Sequence, residues 1–79
     1  MVTPESIKSG IESGIACERI EVIGDGQHFQ AVVVAHAFEG KSRVQRHQLV
    51  YRALGERMRE EIHALSMQTL TPEEAKRNG

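Results

Sequence analysis

The sequence predicts an α+β domain in which helices pack on a single three-stranded mixed sheet. Two observations indicate this fold class. Apolar residues recur at helical spacing on both sides of a pair of strand-like segments, and a third strand-like segment follows the second helical stretch. The predicted order is α-β-β-α-α-β with a short C-terminal helix. At 79 residues the chain supports one domain, over residues 1–79, and has no room for a second.

Composition limits the classes of function. Ten Lys and Arg against eleven Asp and Glu give a net charge of -1, which removes a global electrostatic case for a nucleic-acid or membrane protein. The longest apolar run, Ala31 to Ala35, has the length of a strand and is far too short to span a membrane. The only cysteine, Cys17, cannot form an internal disulfide and is interpreted as a small buried hydrophobe. A cytoplasmic location with no membrane contact is expected.

The first helix is predicted from about Pro4 to Ile15, with Thr3 as its N-cap and proline at its first position. A single apolar stripe supports it, formed by Ile7, Ile11 and Ile15. Gly10 and Gly14 lower its helix propensity, so we interpret them as sites of close packing against a sheet.

A hairpin follows. Arg19 to Val22 alternates polar and apolar residues, while Phe29 to Ala37 is nearly continuous in apolar and small residues. These patterns predict an outer and an inner strand, joined by a turn from Gly24 to Gln27.

The second helix is predicted to begin after Ser42, which forms a capping box with Gln45. It continues to about Glu60, and Gly55 is the position where it could break. Its apolar stripe consists of Val50, Leu54 and Met58.

The third strand is predicted from His63 to Thr69, because period-2 spacing places His63, Leu65, Met67 and Thr69 on one face. Thr71 then repeats the cap pattern, with proline next and Glu74 completing a capping box. A short final helix is therefore expected.

Three segments together resemble the BolA family. They are FEGKSRVQRHQLVY from Phe38 to Tyr51, the segment IHALSMQTLTPEE that contains His63, and DGQHF from Asp25 to Phe29. The resemblance covers nearly the whole chain, and the last segment is similar to the hairpin of the family's shorter members. It implies a fold similar to the class II KH domain, which agrees with the predicted element order.

The four histidines are the candidate metal ligands of the chain. None has a paired metal spacing such as HxxxH, and one cysteine excludes a four-thiolate cluster site within the chain. An open half-site remains, with two ligands from this chain and two thiolates supplied by a partner. His63 and His28 lie where two imidazoles could converge, although each could equally be a strand-end residue that faces solvent. His36 and His47 are interpreted as structural.

The resemblance to the BolA family implies a role as iron ligands for His63 and His28. The histidine at the position of His63 is implied as an iron ligand in complexes with monothiol glutaredoxins, and the second ligand comes from the loop between the first two strands, where His28 is the candidate. The implied cofactor is a two-iron two-sulfur cluster shared with that partner, which also supplies glutathione; the chain alone would hold none. The expected function is a non-enzymatic adaptor in iron-sulfur metabolism or stress response, a monomer or weak homodimer by itself.

A local excess of positive charge supports an alternative. The segment from 41 to 59 has one acid, Glu56, and six basic residues, Lys41, Arg43, Arg46, Arg52, Arg57 and Arg59. The ordinary interpretation is a solvated helix face. A DNA-binding transcriptional regulator would instead use Lys41, Arg43 and Arg46 on phosphates, although the turn EGKSR has one glycine where a KH clamp has two. A third hypothesis is a module that docks glutaredoxin without a cluster.

Overall fold

The computed structural model describes residues 2–25, 27–61 and 64–78, with the backbone alone for 57–61 and 78. The elements in chain order are α1 (Pro4–Gly14), β1 (Arg19–Gly24), β2 (His28–Val34), a 3-10 turn (His36–Phe38), α2 (Arg43–Glu61), β3 (Ala64–Leu70) and α3 (Pro72–Asn78). The predicted order of helices and strands is confirmed, and it is compatible with a KH-like description. No helix in the described part of the chain is both long and apolar enough to cross a bilayer.

The three strands form one mixed sheet in the order β1-β2-β3. β1 pairs antiparallel with β2, whereas β2 pairs parallel with β3, from His28 opposite Ala64 to Val34 opposite Leu70. A parallel pair needs a long crossover, and α2 provides it. Both strands of the parallel pair therefore begin at one end of the sheet and finish at the other, about 20 Å away for seven residues.

The core lies between the sheet and the helices α1 and α2. Alternate residues of β2 point into it, because successive strand side chains face opposite sides. The buried core residues are Ile7, Ile11, Ile15, Ile20, Phe29, Ala31, Val33, Ala35, Phe38, Val50 and Leu54. In β3 the predicted alternation is confirmed: Leu65 and Met67 pack against this core, while Ser66 and Gln68 are exposed.

The predicted helix caps are also confirmed. Ser42 and Gln45 bond reciprocally, since each accepts the other's backbone N–H through its side-chain oxygen, at 2.9 and 3.2 Å. Thr71 and Glu74 do the same at the start of α3. The helix break at Gly55 is confirmed by its φ of 83° and ψ of 160°, a conformation that only glycine adopts readily.

Two predictions were wrong in detail. β2 ends at Val34 and does not continue to Ala37, because the chain turns into the 3-10 segment that places Phe38 in the core. Gly14 packs against a helix and not the sheet: a Cβ built on it would lie 2.7 Å from the Cβ of Ala53 in α2. The side chain of Met58 and the position of His63, the predicted first residue of the third strand, lie outside the described residues.

Candidate functional site

His28 lies at the end of the sheet where β2 and β3 begin. It is the first residue of β2 and the register partner of Ala64, the residue that follows His63 in the sequence. Its side chain is 74% exposed. The structure thus exposes His28, one predicted ligand, to solvent and places it beside Ala64. His63, the other predicted ligand, precedes Ala64 in the sequence and lies outside the described residues.

Asp25 fixes the backbone at this position. Its Oδ1 accepts the backbone N–H groups of Gln27 at 3.0 Å and His28 at 2.9 Å, and its own N–H donates to the His28 carbonyl at 3.2 Å. These donors hold the pKa of the Asp25 carboxyl below its ordinary value, because they stabilise the ionised form. The Oδ2 atom lies 4.0 Å from Nδ1 of His28, so a negative charge faces that side of the ring.

Within the described ranges, no group of three or more His, Cys, Asp and Glu side chains is placed to hold one metal ion. A metal bound near His28 would therefore need further ligands from His63 or from a partner. Cys17 is half-buried and donates to the Ile15 carbonyl at 3.3 Å. Burial, with a smaller effect from Glu12, raises the pKa of its thiol, which keeps it protonated and disfavours it as a ligand.

A basic cleft of about 650 Å³ lies at the opposite end of the parallel strands, between the start of α2, the end of β3 and α3. Its lining consists of Lys41, Arg43, Arg46, His47, Met67, Gln68, Thr69, Leu70, Glu74 and Arg77. Lys41 and Arg43 are exposed there. The ion pairs within the described ranges that involve arginine use Arg19, Arg46 and Arg77, so Lys41 and Arg43 keep their charges facing solvent.

Arg46 differs from its two basic neighbours, because its guanidinium is engaged inside the chain. Its Nη1 donates to Glu74 Oε1 at 2.7 Å and to the Thr69 carbonyl at 3.0 Å, and its Nε donates to the Lys41 carbonyl at 2.9 Å. The side chain is only 14% exposed. Of the three residues predicted to contact nucleic acid, Lys41 and Arg43 are exposed to solvent. The third, Arg46, instead binds Glu74 of α3.

Sequence reasoning missed three features of these surfaces. Gln68 and Arg77 line the basic cleft, and the capping box that places Glu74 gave no sign of its bond to Arg46. His36 was interpreted as structural, yet it is exposed and lies between the carboxylates of Glu18 and Glu39. No short motif contains this cluster, because Glu18 precedes β1 and His36 follows β2.

Comparison with known proteins identifies the family. The model of the BolA-like protein family matches residues 5–74. The chain is 39% identical over 69 residues to the acid stress protein IbaG of Escherichia coli (strain K12), a match that covers 86% of this chain and 82% of that protein. It is 43% identical over 53 residues to the DNA-binding transcriptional regulator BolA of Haemophilus influenzae, over 67% of this chain and 52% of that protein.

Solved structures agree with these sequence matches. A bolA protein homologue from Coxiella burnetii superposes with a TM-score of 0.78 at 49% identity, over 96% of this chain and 99% of that one. A bol-like protein from Babesia bovis superposes with a TM-score of 0.86 at 30% identity, over 99% and 94% of the two chains. The family model, the sequence identities and the shared fold together show that this chain belongs to the BolA family.

Proposed function

We propose that this chain is a non-enzymatic adaptor that binds a cytosolic monothiol glutaredoxin and shares a two-iron two-sulfur cluster with it. His63 and His28 are the ligands of one iron in this proposal, while the partner supplies its own cysteine and a glutathione thiolate to the other. The observation that carries the proposal is the β2–β3 register, which pairs the exposed His28 with the residue that follows His63.

The spacing of the strands supports a shared iron. Neighbouring strands lie about 4.8 Å apart, and consecutive Cα atoms are about 3.8 Å apart. Ala64 therefore lies about one strand spacing from His28, and His63 is the residue before Ala64 in the sequence. An imidazole reaches several ångströms beyond its Cα, so the proposal requires only that the His63 side chain turn toward His28.

The chemistry of the donors also fits the cluster. Imidazole replaces thiolate on one iron in known two-iron two-sulfur centres, where it raises the reduction potential. The Asp25 carboxylate lies 4.0 Å from Nδ1 of His28, so Nε2 is the nitrogen that we propose binds the metal. Ligation requires neutral imidazole, so cluster sharing is expected to weaken in acid.

The direct test is to mix the apo chain with cluster-loaded monothiol glutaredoxin and record visible absorption and circular dichroism. The proposal predicts a cluster spectrum that differs from that of glutaredoxin alone. Gln30→Ala is the matched control for the His28→Ala variant and should give the spectrum of the parent. Gln30 is an exposed residue of the same strand, two positions from His28. Association by calorimetry without a spectral change would contradict cluster sharing and support a module that docks by contact alone.

DNA binding is the second candidate, and a different observation favours it. Lys41 and Arg43 line the basic cleft without an ion-pair partner in the described ranges, and the name of one relative includes DNA-binding transcriptional regulator. Such a function would place phosphates beside these two side chains. Arg46 is not assigned to it, because Glu74 holds its guanidinium.

Gel-shift titrations at two salt concentrations test this candidate. Replacing Lys41 and Arg43 by glutamine should flatten the slope of log K against log salt by up to about 2 units, since each lost phosphate contact removes about 0.9. Arg52→Gln is the control, because Arg52 is exposed on α2 outside that cleft. Equal affinity for unrelated sequences, lost at physiological salt, would reduce the regulator hypothesis to non-specific attraction.

A further inference from the structure

A cluster of three titratable side chains lies where β2 ends, at the opposite end of this strand from His28. It consists of Glu18, His36 and Glu39, and backbone bonds fix all three positions. The Glu18 N–H donates to the Val34 carbonyl at 2.8 Å, and the Glu39 N–H donates to the His36 carbonyl at 3.0 Å. The first bond joins Glu18 to the end of β2, and the second joins Glu39 to the 3-10 turn that begins at His36.

Each ring nitrogen of His36 lies close to the carboxylate of a glutamate. Its Nδ1 lies 3.0 Å from Glu39 Oε2, which is hydrogen-bond distance. Its Nε2 lies 3.6 Å from Glu18 Oε2. A neutral imidazole carries one proton, and the shorter contact assigns it to Nδ1. The Nε2 lone pair then faces the Glu18 carboxylate, and a cation between the two would interact favourably with both.

The separation of Nε2 and Oε2 is compatible with a shared metal ion. At 3.6 Å the Nε2 and Oε2 atoms are too far apart for a hydrogen bond. Two ligand atoms bonded to one tetrahedral zinc ion at its usual bond lengths lie about 3.3 Å apart. The observed separation is within a few tenths of an ångström of that value. The exposed side chains of His36 (74%) and Glu18 (55%) leave room for water in the remaining positions.

We propose that Nε2 of His36 and the carboxylate of Glu18 bind a divalent transition-metal ion of the zinc type, with water completing the coordination. Mixed imidazole and carboxylate donors suit this class of ion. Glu39 accepts the Nδ1–H and orients the ring, as carboxylates commonly do for histidines that bind metal. The site lies about 20 Å from His28 along β2, so it is separate from the proposed cluster ligands.

Calorimetric titration of the full chain with Zn²⁺ tests the site, in a His28→Ala/His63→Ala background that removes the other proposed ligands. We expect one bound ion per chain and a shift of the His36 imidazole resonances. His36→Ala should abolish this binding, and Glu18→Gln should weaken it at least about tenfold. Glu39→Gln should weaken zinc binding by about 10- to 100-fold, since it removes the carboxylate that orients the His36 ring.

Glu21→Gln is the matched control, because Glu21 is an exposed carboxylate of β1 that pairs with Arg19. Its zinc affinity should equal that of the parent. The site is overturned if zinc at millimolar concentration leaves the His36 resonances unchanged, or if His36→Ala or Glu18→Gln binds zinc as tightly as the parent. Because the background lacks both proposed cluster ligands, this outcome is independent of whether the chain shares a cluster.

Discussion

Arg46 and Glu74 form a bidentate ion pair that connects α3 to α2. Nη1 lies 2.7 Å from Oε1 and Nη2 lies 3.4 Å from Oε2. The same Glu74 Oε1 accepts the Thr71 N–H at 2.8 Å, so one carboxylate both caps α3 and anchors it. Because Arg46 also donates to the Thr69 carbonyl at the end of β3, a single guanidinium joins three elements.

Removing this guanidinium should destabilise the fold more than removing an exposed one. Arg46→Ala loses charge-assisted bonds in a largely buried position, so the free energy of unfolding should fall by about 2 kcal/mol. Arg52→Ala, on the exposed surface of α2, should change it by about 0.5 kcal/mol or less. Urea denaturation of both variants checks this. Equal losses would show that the Arg46 contacts contribute no specific stability.

The same ion pair should give stability a defined acid dependence. The Arg46 guanidinium, with the Thr71 N–H, lowers the pKa of Glu74 from its ordinary 4.5 to about 2. A lowered pKa in the folded state means that ionised Glu74 favours folding. This contribution is complete above about pH 4.5, the pKa expected in the unfolded chain, and is lost as pH falls through about 2.

The measurement compares the melting temperatures of the parent and Glu74→Gln between pH 7 and pH 1.5. The parent should melt higher above pH 4.5, and the gap should narrow progressively below it. Glu73→Gln is the control, because its partner Arg77 is exposed and such pairs contribute little. A gap that stays constant down to pH 1.5 would contradict the assignment to Glu74 ionisation.

Gly55 should resist replacement because of its backbone conformation alone. A Cβ at this position would meet nothing within 4 Å, yet its φ of 83° is strained for any L-residue. Gly55→Ala should therefore cost about 1 to 3 kcal/mol of unfolding free energy. D-alanine, introduced by chemical synthesis, is the control and should cost much less. If both residues destabilise equally, the conformation is not the cause.

The contact between Gly14 and Ala53 should show coupling. Gly14→Ala would bring two Cβ atoms to 2.7 Å, so it should cost about 1 to 3 kcal/mol. Placed in an Ala53→Gly background, the same change should cost less, because the opposing Cβ is gone and only the contact with the residue 53 Cα at 2.9 Å remains. Denaturation of the four chains of this double-mutant cycle gives the coupling. Additive costs would contradict a clash with the Ala53 side chain.

Local chemistry made much of the fold predictable. Ser42 with Gln45 and Thr71 with Glu74 were identified as capping boxes, since their bonds span three residues and leave a sequence pattern. The break at Gly55 was predicted as a position, because glycine lowers helix propensity. The end of β2 was not, because Ala35 and Ala37 fit a strand as well as the turn that buries Phe38.

Contacts between distant residues were not predictable in the same way. Nothing in the sequence around Arg46 differs from that around Arg43, yet only Arg46 meets a carboxylate from α3. The helix that packs on Gly14 and the carboxylates on both sides of His36 depend equally on the assembled fold. His28 was predicted as a candidate ligand from its place beside the turn, whereas its pairing with Ala64 could be seen only from the register.

The central claim, that this chain supplies imidazole ligands to a shared cluster, is tested most directly by electron paramagnetic resonance of the reduced glutaredoxin complex. The parent should show nitrogen hyperfine coupling to the cluster; His63→Ala should lose it and shorten the cluster's lifetime, and His28→Ala should show a partial loss. Calorimetry should find apo glutaredoxin binding unchanged in both. A His63→Ala complex whose hyperfine spectrum and cluster lifetime match those of the parent would contradict the claim.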